Sequence, residues 1–237
     1  MTEQKLQHFY IAEDQSIYLL SHKDATKLKQ WVKLCQQQLK QLGYHNISLL
    51  GKGAYGFVFT GENKLEESIV FKFSRLNLPQ HVQDRLEEEA IIQSELSHPR
   101  IPKVIQYHKL KRQCILQMSR APGIDLEKFS YQKGPLAPEL IVDIALQLAD
   151  ILVYLRNTKG HKKNKPYIHG DIKPSNVVYD SSDGKVYLID WGSSVTAQIE
   201  VNGQSTSHNI MELMSSDLQH SNARLGDVYF IGPEQLN

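Results

Sequence analysis

The fold is decided by residues 51–60, which read Gly-Lys-Gly-Ala-Tyr-Gly-Phe-Val-Phe-Thr. The G-x-G-x-x-G spacing alone is a weak signal, because tight turns and dinucleotide-binding loops share it. In a dinucleotide-binding fold the last glycine opens a helix, whereas Gly56 here is followed by Phe57–Thr60, which alternates like a strand. The loop therefore joins two strands. Because its glycines lack a Cβ atom, its backbone amides can approach the oxygens of a phosphate.

Strand and helix signals continue on both sides of this hairpin. A charged helix is predicted over Gln80–Ser97, where Pro99 stops it. Short β-branched or aromatic runs predict five strands, at Asn46–Leu50, Phe57–Thr60, Ser68–Phe73, Val104–His108 and Cys114–Met118. Five strands with a single helix indicate an antiparallel sheet with the helix packed against it.

An amphipathic helix is predicted ahead of the sheet. Apolar residues recur every three or four positions from Asp24 to Leu42, and Gly43 follows in the position of a C-cap. We expect this helix to pack on the sheet or beside the Gln80–Ser97 helix, with a docking or dimerisation role as the alternative. A short apolar patch at Ile17–Leu20 is a further strand candidate.

The second half of the chain is predicted to be mainly helical. A short helix ends at Ser130–Gly134, and a strongly apolar one covers Glu139–Leu155. Two short strands follow at Val177–Tyr179 and Val186–Ile189, ahead of a polar segment over 192–235 that we expect at the surface.

Composition narrows the classes of protein. Among 237 residues, 41% are hydrophobic and 22% charged, as in soluble globular proteins, and a net charge of +1 gives no reason to expect nucleic acid or an anionic membrane as partner. Apolar runs stay well short of the roughly 20 residues that span a bilayer, and no signal peptide is recognised. Cys35 and Cys114 lack metal-binding or CxxC spacing. These features predict a cytoplasmic protein with reduced thiols, and the lysines of 159–165 are interpreted as a solvated loop.

Lys72 is the first candidate for chemistry. It interrupts the apolar strand Ser68–Phe73, and an uncompensated buried charge costs several kcal/mol. One alternative is an edge strand with a solvated lysine. The other is a lysine that binds phosphate oxygens and is paired with a carboxylate, for which Glu89 on the following helix is the candidate. Glu87 and Glu88 are interpreted as solvated.

Two further stretches concentrate polar groups beside apolar strands. Residues 169–176 read His-Gly-Asp-Ile-Lys-Pro-Ser-Asn, and residues 187–192 read Tyr-Leu-Ile-Asp-Trp-Gly. The second delivers Asp190 from an apolar strand into a turn. Mg²⁺ prefers one or two carboxylates together with phosphate oxygens and water, so Asp190 and Asn176 are the candidate metal ligands.

These four features, in this order, resemble one family, the eukaryotic-type Ser/Thr protein kinases. The resemblance runs from about Ile47 to Glu234. It implies an α+β, two-lobed, protein-kinase-like fold: an N-terminal extension with the amphipathic helix over 1–45, an N-lobe over 46–118, and a hinge with a partial C-lobe over 119–237.

The resemblance also implies ATP and Mg²⁺ as cofactors and a protein substrate with a Ser/Thr hydroxyl. In it, Asp171 orients the hydroxyl and accepts its proton, Lys173 steadies the γ-phosphate, and Asn176 and Asp190 bind the metal ions. A lysine two residues after the catalytic aspartate is typical of Ser/Thr kinases. Lys72 would bind the α- and β-phosphates and pair with Glu89. The residues expected around ATP are Gly51, Gly53, Gly56, Val58, Val70, Lys72, Met118, Ala121 and Val178.

Several positions depart from the family's pattern. Gly170 stands where many members have an arginine that reads a phosphate on the activation segment, so we expect activity that is constitutive or controlled by a partner. Trp191 replaces a smaller Phe and is expected to make the Asp190 turn less willing to flip. Gln93 is polar where an apolar internal residue is expected, and Val70 is larger than the usual Ala.

The end of the chain is a further departure. Gly232-Pro233-Glu234 resembles the motif that closes the activation segment, and the chain ends three residues later. We therefore expect a shortened C-lobe and an uncovered apolar face on the Glu139–Leu155 helix. Either the N-terminal helix or a partner covers this face, or the protein is a shortened form of low stability. A regulatory partner, or self-association through the N-terminal helix or the exposed C-lobe, is therefore expected. Asp227 replaces a threonine, and whether it repels Asp171 or pairs with Lys173 stays open.

Two rival functions remain. The His-Gly-Asp triplet and short C-lobe resemble compact atypical kinases, which favours an ATPase or a small-molecule kinase, although Gly232-Pro233-Glu234 argues against it. A non-catalytic pseudokinase scaffold is the other rival. It has no chemical need of the complete set Lys72, Glu89, Asp171, Asn176 and Asp190.

Overall fold

The computed structural model describes residues 22–52, 56–74, 80–110, 113–158, 166–196 and 230. Three predicted features lie outside these residues: the Ile17–Leu20 strand, the lysine run at 159–165, and the segment from 197 to the end of the chain apart from Phe230.

A five-stranded sheet forms the first lobe, in the order β1-β2-β3-β5-β4 with every neighbouring pair antiparallel. The strands are β1 His45–Lys52, β2 Gly56–Glu62, β3 Ser68–Ser74, β4 Val104–Leu110 and β5 Gln113–Ser119. The predicted sheet is confirmed, and each strand extends slightly beyond its predicted bounds.

Two helices accompany this sheet, α1 His22–Gln41 and α2 Gln80–Ser94. The predicted end of α2 at Ser97 was wrong. The amides of Glu95 and Leu96 donate to the carbonyls three residues earlier, at 3.1 and 3.2 Å, which tightens the chain into a turn before His98.

The first hydrophobic core lies between α1 and one face of the sheet. Phe57, Phe59, Phe71 and Phe73 are buried there with Cys35 and Leu39 of α1, the last two at 0% exposure. The α1 helix therefore packs on the sheet, as the first of the two expectations for it states. Burial raises the pKa of the Cys35 thiol to about 12, so the thiol stays protonated in this core.

The second lobe is built around α4. Its elements are β6 Ile124–Asp125, α3 Leu126–Lys133, α4 Pro138–Asn157, β7 Tyr167–Ile168, a 3-10 turn Pro174–Asn176, β8 Val177–Asp180, β9 Lys185–Leu188 and β10 Val195–Thr196. Buried residues of α4 pack with Val186, Leu188 and Trp191 in the second core. The short strands β6, β7 and β10 were not predicted, because two-residue strands carry no readable periodicity.

The architecture is thus a mixed α+β fold of two lobes, as predicted. The remaining surface of α4 exposes five large apolar side chains, namely Ile141, Val142, Leu146, Leu152 and Val153. Among the helices of the described residues, none is long and apolar enough to cross a bilayer.

Candidate active site

Strand alternation places Lys72 on the sheet face that does not carry the phenylalanines. On β3, Phe71 and Phe73 point to α1, so Lys72 between them points to the other side. Lys72 pairs across the sheet with Val58 on β2 and with Leu116 on β5. Directly opposite residues share a face, so this face presents a cation among apolar neighbours.

The ammonium of Lys72 joins three separate elements. It contacts the Glu89 carboxylate on α2, and it donates to Asp190 Oδ1 after β9 at 2.7 Å. The Lys72 side chain is 17% exposed and that of Glu89 5% exposed, so this pairing is largely withdrawn from water. Lys72 is therefore not the solvated lysine of an edge strand; β3 is a central strand of the sheet.

Although Asp190 and Glu89 share one cation, their pKa values shift in opposite directions. The charge of Lys72 lowers the pKa of Asp190 to about 2. Burial raises the pKa of Glu89, with Lys72 opposing that rise. Burial by itself would lower the pKa of Lys72, but the charges of Asp190 and Glu89 outweigh it and the pKa is raised. Asp190 is therefore ionised at neutral pH and Lys72 is a cation.

Asp190 is positioned by the backbone around it. Strand β9 ends at Leu188, and the amide of Ile189 donates to the Asn176 carbonyl at 3.0 Å. Asp190 itself adopts φ 63, a left-handed conformation that aspartate tolerates better than most residues. This turn aims the carboxylate at Lys72.

A second polar group lies next to this turn. The Asn176 amide nitrogen donates to the Asp171 carbonyl and to Asp171 Oδ2, both at 2.9 Å. Lys173 Nζ lies 3.1 Å from the same Oδ2. Asp171, Lys173 and Asn176 thus lie together. The hydrogen bond from the Ile189 amide to the Asn176 carbonyl connects this group to Asp190, the next residue after Ile189.

His169 and Trp191 contact the segments that carry Asp171 and Asp190. His169 Nε2 donates to the Ile189 carbonyl at 3.0 Å, while Nδ1 accepts from the Asp171 amide at 3.3 Å. Trp191 is fully buried with its ring edge against His169, at 4.7 Å between centroids. Burial lowers the pKa of His169, in keeping with a neutral ring that has one donor and one acceptor nitrogen.

The residues expected around ATP are spread over several elements. Gly51 lies near the end of β1, where an added Cβ would meet no atom within 4 Å, and Gly56 is the first residue of β2. Gly53 lies outside the described residues. A Cβ at Gly56 would stand 2.0 Å from the Phe73 carbonyl oxygen, so the hairpin needs glycine there. Val70 packs with Met118.

Ala121 and Val178 do not belong to that sheet face. Ala121 follows β5, and Val178 is on β8, paired with Asp125 of β6. The structure thus brings the charged candidates together, whereas the apolar candidates divide between the two lobes.

Sequence reasoning missed two features of α2. Glu87, interpreted as solvated, accepts from Lys109 of β4 at 2.7 Å, and Asp84 lies 3.5 Å from the same ammonium. Gln93 is 1% exposed; its amide nitrogen donates to the Pro102 carbonyl at 2.7 Å and approaches Met118. Lys109, Asp84 and Glu87 can be read in the sequence, but predicting that they pair requires knowing the order of the strands in the sheet.

The donor set suits a metal that is shared with a phosphate ligand. Among the described residues, no group of three or more His, Cys, Asp or Glu side chains could enclose a metal ion by itself. An ionised carboxylate and an amide oxygen, from Asp190 and Asn176, are ligands that Mg²⁺ accepts alongside phosphate and water. The residues present therefore fit Mg²⁺ bound together with a nucleotide.

Comparisons with known proteins agree with this geometry. The family model described as "protein kinase domain" matches residues 44–237. A Dictyostelium discoideum protein described as a probable serine/threonine-protein kinase is 32% identical over 120 residues, covering 48% of this chain and 12% of that protein. Serine/threonine-protein kinase C of Synechocystis is 28% identical over 159 residues, covering 63% of this chain and 28% of the relative.

A third relative covers more of the chain. The probable serine/threonine-protein kinase PknB of Lactococcus lactis is 26% identical over 196 residues, which is 81% of this chain and 27% of that protein. The chain thus spans less than a third of the length of each of these three relatives.

Proposed function

Because this chain belongs to the protein kinase family, we propose that it transfers the γ-phosphoryl group of ATP to Ser/Thr hydroxyls of a protein substrate. The observation that carries the proposal is the contact of Lys72 with both Glu89 and Asp190. It brings a cation from the first lobe and a carboxylate from the second to one point, where a triphosphate and its metal would need them.

Charge neutralisation is the first task of these residues. Phosphoryl transfer requires little covalent help from protein, and positioning with electrostatic stabilisation provides most of the rate. Lys72 would bind the α- and β-phosphates, with Glu89 fixing its ammonium. Asp190 and Asn176 would bind Mg²⁺, which when present neutralises charge on the phosphate oxygens. The low pKa of Asp190 supports this role, since its carboxylate is ionised before any metal arrives.

Orientation of the hydroxyl is the second task. Asp171 would accept the proton of the substrate hydroxyl, and its carboxylate is already oriented by Asn176 and Lys173. Lys173 would steady the γ-phosphate from that same position. The lysine two residues after Asp171, together with relatives named as Ser/Thr kinases, supports Ser and Thr as acceptors.

The residues proposed to surround the phosphates and the base of ATP come from both lobes. Gly51, Gly53 and Gly56 would form the loop over the phosphates. The apolar residues Val58, Val70, Met118, Ala121 and Val178 would surround the base, and only Val70 and Met118 among them pack together in the described core clusters.

The direct test is transfer of label from γ-labelled ATP with Mg²⁺ to a generic basic protein, followed by identification of the phosphorylated amino acid. The Asp190→Asn variant, which keeps the size of the side chain, should lose transfer. Asp183→Asn should not, because that exposed carboxylate pairs only locally with Lys185. ATP turnover without labelled protein would instead indicate a small-molecule kinase or ATPase, and nucleotide binding without turnover a scaffold.

Location and partners are proposed on separate grounds. Both cysteines are free and buried, which supports a reducing compartment such as the cytoplasm. A regulatory partner or a second copy would find its apolar surface on α4, because α1 buries Cys35 and Leu39 against its own sheet. Sedimentation of wild type beside Leu146→Glu tests this surface, since an α4 interface would be weakened by the added charge.

A further inference from the structure

Gly170 allows two backbone segments to approach more closely than any other residue would. Its φ is +81, in the left-handed region. A Cβ at this position would lie 2.4 Å from the Ser193 carbonyl oxygen and 3.2 Å from its carbonyl carbon. Both are backbone atoms, so no side-chain rotation could relieve the contact.

This approach lies in the middle of a continuous set of contacts between residues 167–171 and residues 189–196, which we call the seam. After Ser193 in sequence, β10 pairs with β7, with Val195 opposite Ile168 and Thr196 opposite Tyr167. Before Ser193, the Ile189 carbonyl accepts a hydrogen bond from His169. The seam carries Asp171 on its first segment and Asp190 on its second.

The second segment has a bend of its own that depends on this spacing. The amide of Ser194 donates to the Trp191 carbonyl at 3.0 Å, which turns the chain immediately after Asp190 and Trp191. A displaced Ser193 carbonyl would move this turn. Trp191 begins this turn directly after Asp190, and its ring packs against His169, two residues before Asp171. A shift of the turn would therefore be expected to change the spacing of Asp190 and Asp171.

We propose that Gly170 is a positioning residue, which sets the spacing of Asp171 and Asp190 by allowing the Ser193 carbonyl to pack against its Cα. The role rests on the proposed kinase function, but the packing itself does not. It follows that glycine at 170 is a steric requirement of this chain: an arginine there would displace the seam before it could read any phosphate.

Gly184 provides a matched control in the same lobe. It lies in the turn between β8 and β9 with φ +72, and a Cβ there would meet nothing within 4 Å. Gly170→Ala and Gly184→Ala therefore introduce similar left-handed strain, and only the first introduces a clash. Asn tolerates left-handed φ better than Ala, so Gly170→Asn and Gly184→Asn repeat the comparison with less strain.

The experiment measures three quantities on all four variants of the full chain: kcat, the dissociation constant of Mg·ADP and hydrogen exchange. In steady-state transfer, we expect kcat of Gly170→Ala and Gly170→Asn to fall by about 10- to 100-fold, as misplacement of reacting groups by about 1 Å does. The dissociation constant of Mg·ADP should change far less, and the Gly184 variants should keep both values. In hydrogen exchange, peptides covering 189–196 should exchange faster in the Gly170 variants only.

The outcomes separate the two proposals. If wild type transfers no phosphoryl group, the proposed function fails, while hydrogen exchange still decides whether Gly170 spaces the seam. Unchanged exchange over 189–196, or kcat equal to that of the Gly184 variants, overturns the inference. If both Gly170 variants fail to fold and both Gly184 variants fold, the contact serves the fold as a whole, which also overturns a positioning role.

Discussion

The two faces of the five-stranded sheet differ in role: one packs against α1, and the other carries the candidate active-site lysine. On β2 and β3, one face presents four phenylalanines that are buried under α1, and the other presents Val58, Val70 and Lys72. The first face is mainly apolar, although the buried Gln117 lies opposite Phe71 and donates to the Tyr44 hydroxyl. The second has a cation shared by two carboxylates. Because side chains alternate along a strand, the adjacent residues Phe71 and Lys72 lie on different faces. We therefore expect substitutions on the phenylalanine face to lower stability and substitutions on the Lys72 face to lower catalysis.

The largest effect is expected on the charged face. Lys72→Met should reduce phosphoryl transfer by about 10³-fold or more, a loss comparable to removing a cation that stabilises charge on the transferring phosphoryl group. The overall fold should persist, because α1 and the phenylalanine core are untouched. Rates measured with γ-labelled ATP check this, and Lys185→Met, which removes a local surface pair with Asp183, is the control that should stay near wild type.

On the apolar face, the expected effect is on stability. Leu39→Ala should lower the free energy of unfolding by about 2–5 kcal/mol, because Leu39 is fully buried between α1 and the sheet. Leu42→Ala, on a side chain that is 67% exposed, should change it by less than about 0.5 kcal/mol. Denaturant unfolding measures both. Equal losses for the two variants would contradict the packing of α1 on the sheet.

The pH dependence of stability should report on His169. Its pKa is lowered by burial, with Asp190, Asp171 and Lys72 as the charged groups around it. A depressed folded-state pKa means that this contribution to stability is fully present above the unfolded value, about 6.5, and is lost as pH falls through the folded-state pKa. One such group contributes at most about 1.4 kcal/mol per pH unit.

The comparison that isolates His169 is the unfolding free energy of wild type and His169→Phe between pH 7.5 and pH 5. The slope of wild type should be the steeper one, because only wild type must protonate this ring on unfolding. Parallel slopes would contradict a buried neutral His169.

A smaller effect is expected at the edge of the sheet. Lys109→Met removes the ammonium that contacts Glu87 and Asp84 of α2, and Glu89 lies on the same helix. Exposed ion pairs contribute little, so we expect a reduction of transfer by only about 2- to 5-fold, which should diminish when wild type and variant are compared at high salt. A loss as large as that of Lys72→Met would show that α2 depends on this pair alone.

The smallest effect is expected for Trp191→Phe. Trp191 fills the second core, but its buried indole nitrogen makes no hydrogen bond within the described part of the chain. Removing an unsatisfied donor offsets part of the cost of the lost volume. Thermal unfolding should therefore show less destabilisation than the same measurement on Leu39→Ala.

Much of the fold could be predicted because its signals are local. The alternation of Phe57–Thr60 predicts β2, and the three- and four-residue spacing from Asp24 predicts α1. The grouping of Lys72, Asp171, Asn176 and Asp190 came from motif order, since residues 118 positions apart in sequence, Lys72 and Asp190, carry no local sign of contact.

The remainder could not be predicted, for physical reasons. Pairing of Lys109 with α2 depends on β4 lying at the edge of the sheet, which only the strand order fixes. The approach of Ser193 to Gly170 is set by the two-residue ladder of β7 and β10, too short to leave a pattern. The sequence indicated only that Gly170 replaces an arginine. The structure shows that the absence of a Cβ at this position lets the Ser193 carbonyl lie against it.

The most direct measurement is a crystal structure of this chain with Mg²⁺ and a non-hydrolysable ATP analogue. We predict that Lys72 will bond to phosphate oxygens while still paired with Glu89, and that Asp190 and Asn176 will both ligate a metal bound to the same triphosphate. A nucleotide bound elsewhere, with Lys72 still donating to Asp190 and no metal on that carboxylate, would contradict a shared phosphate site between the two lobes.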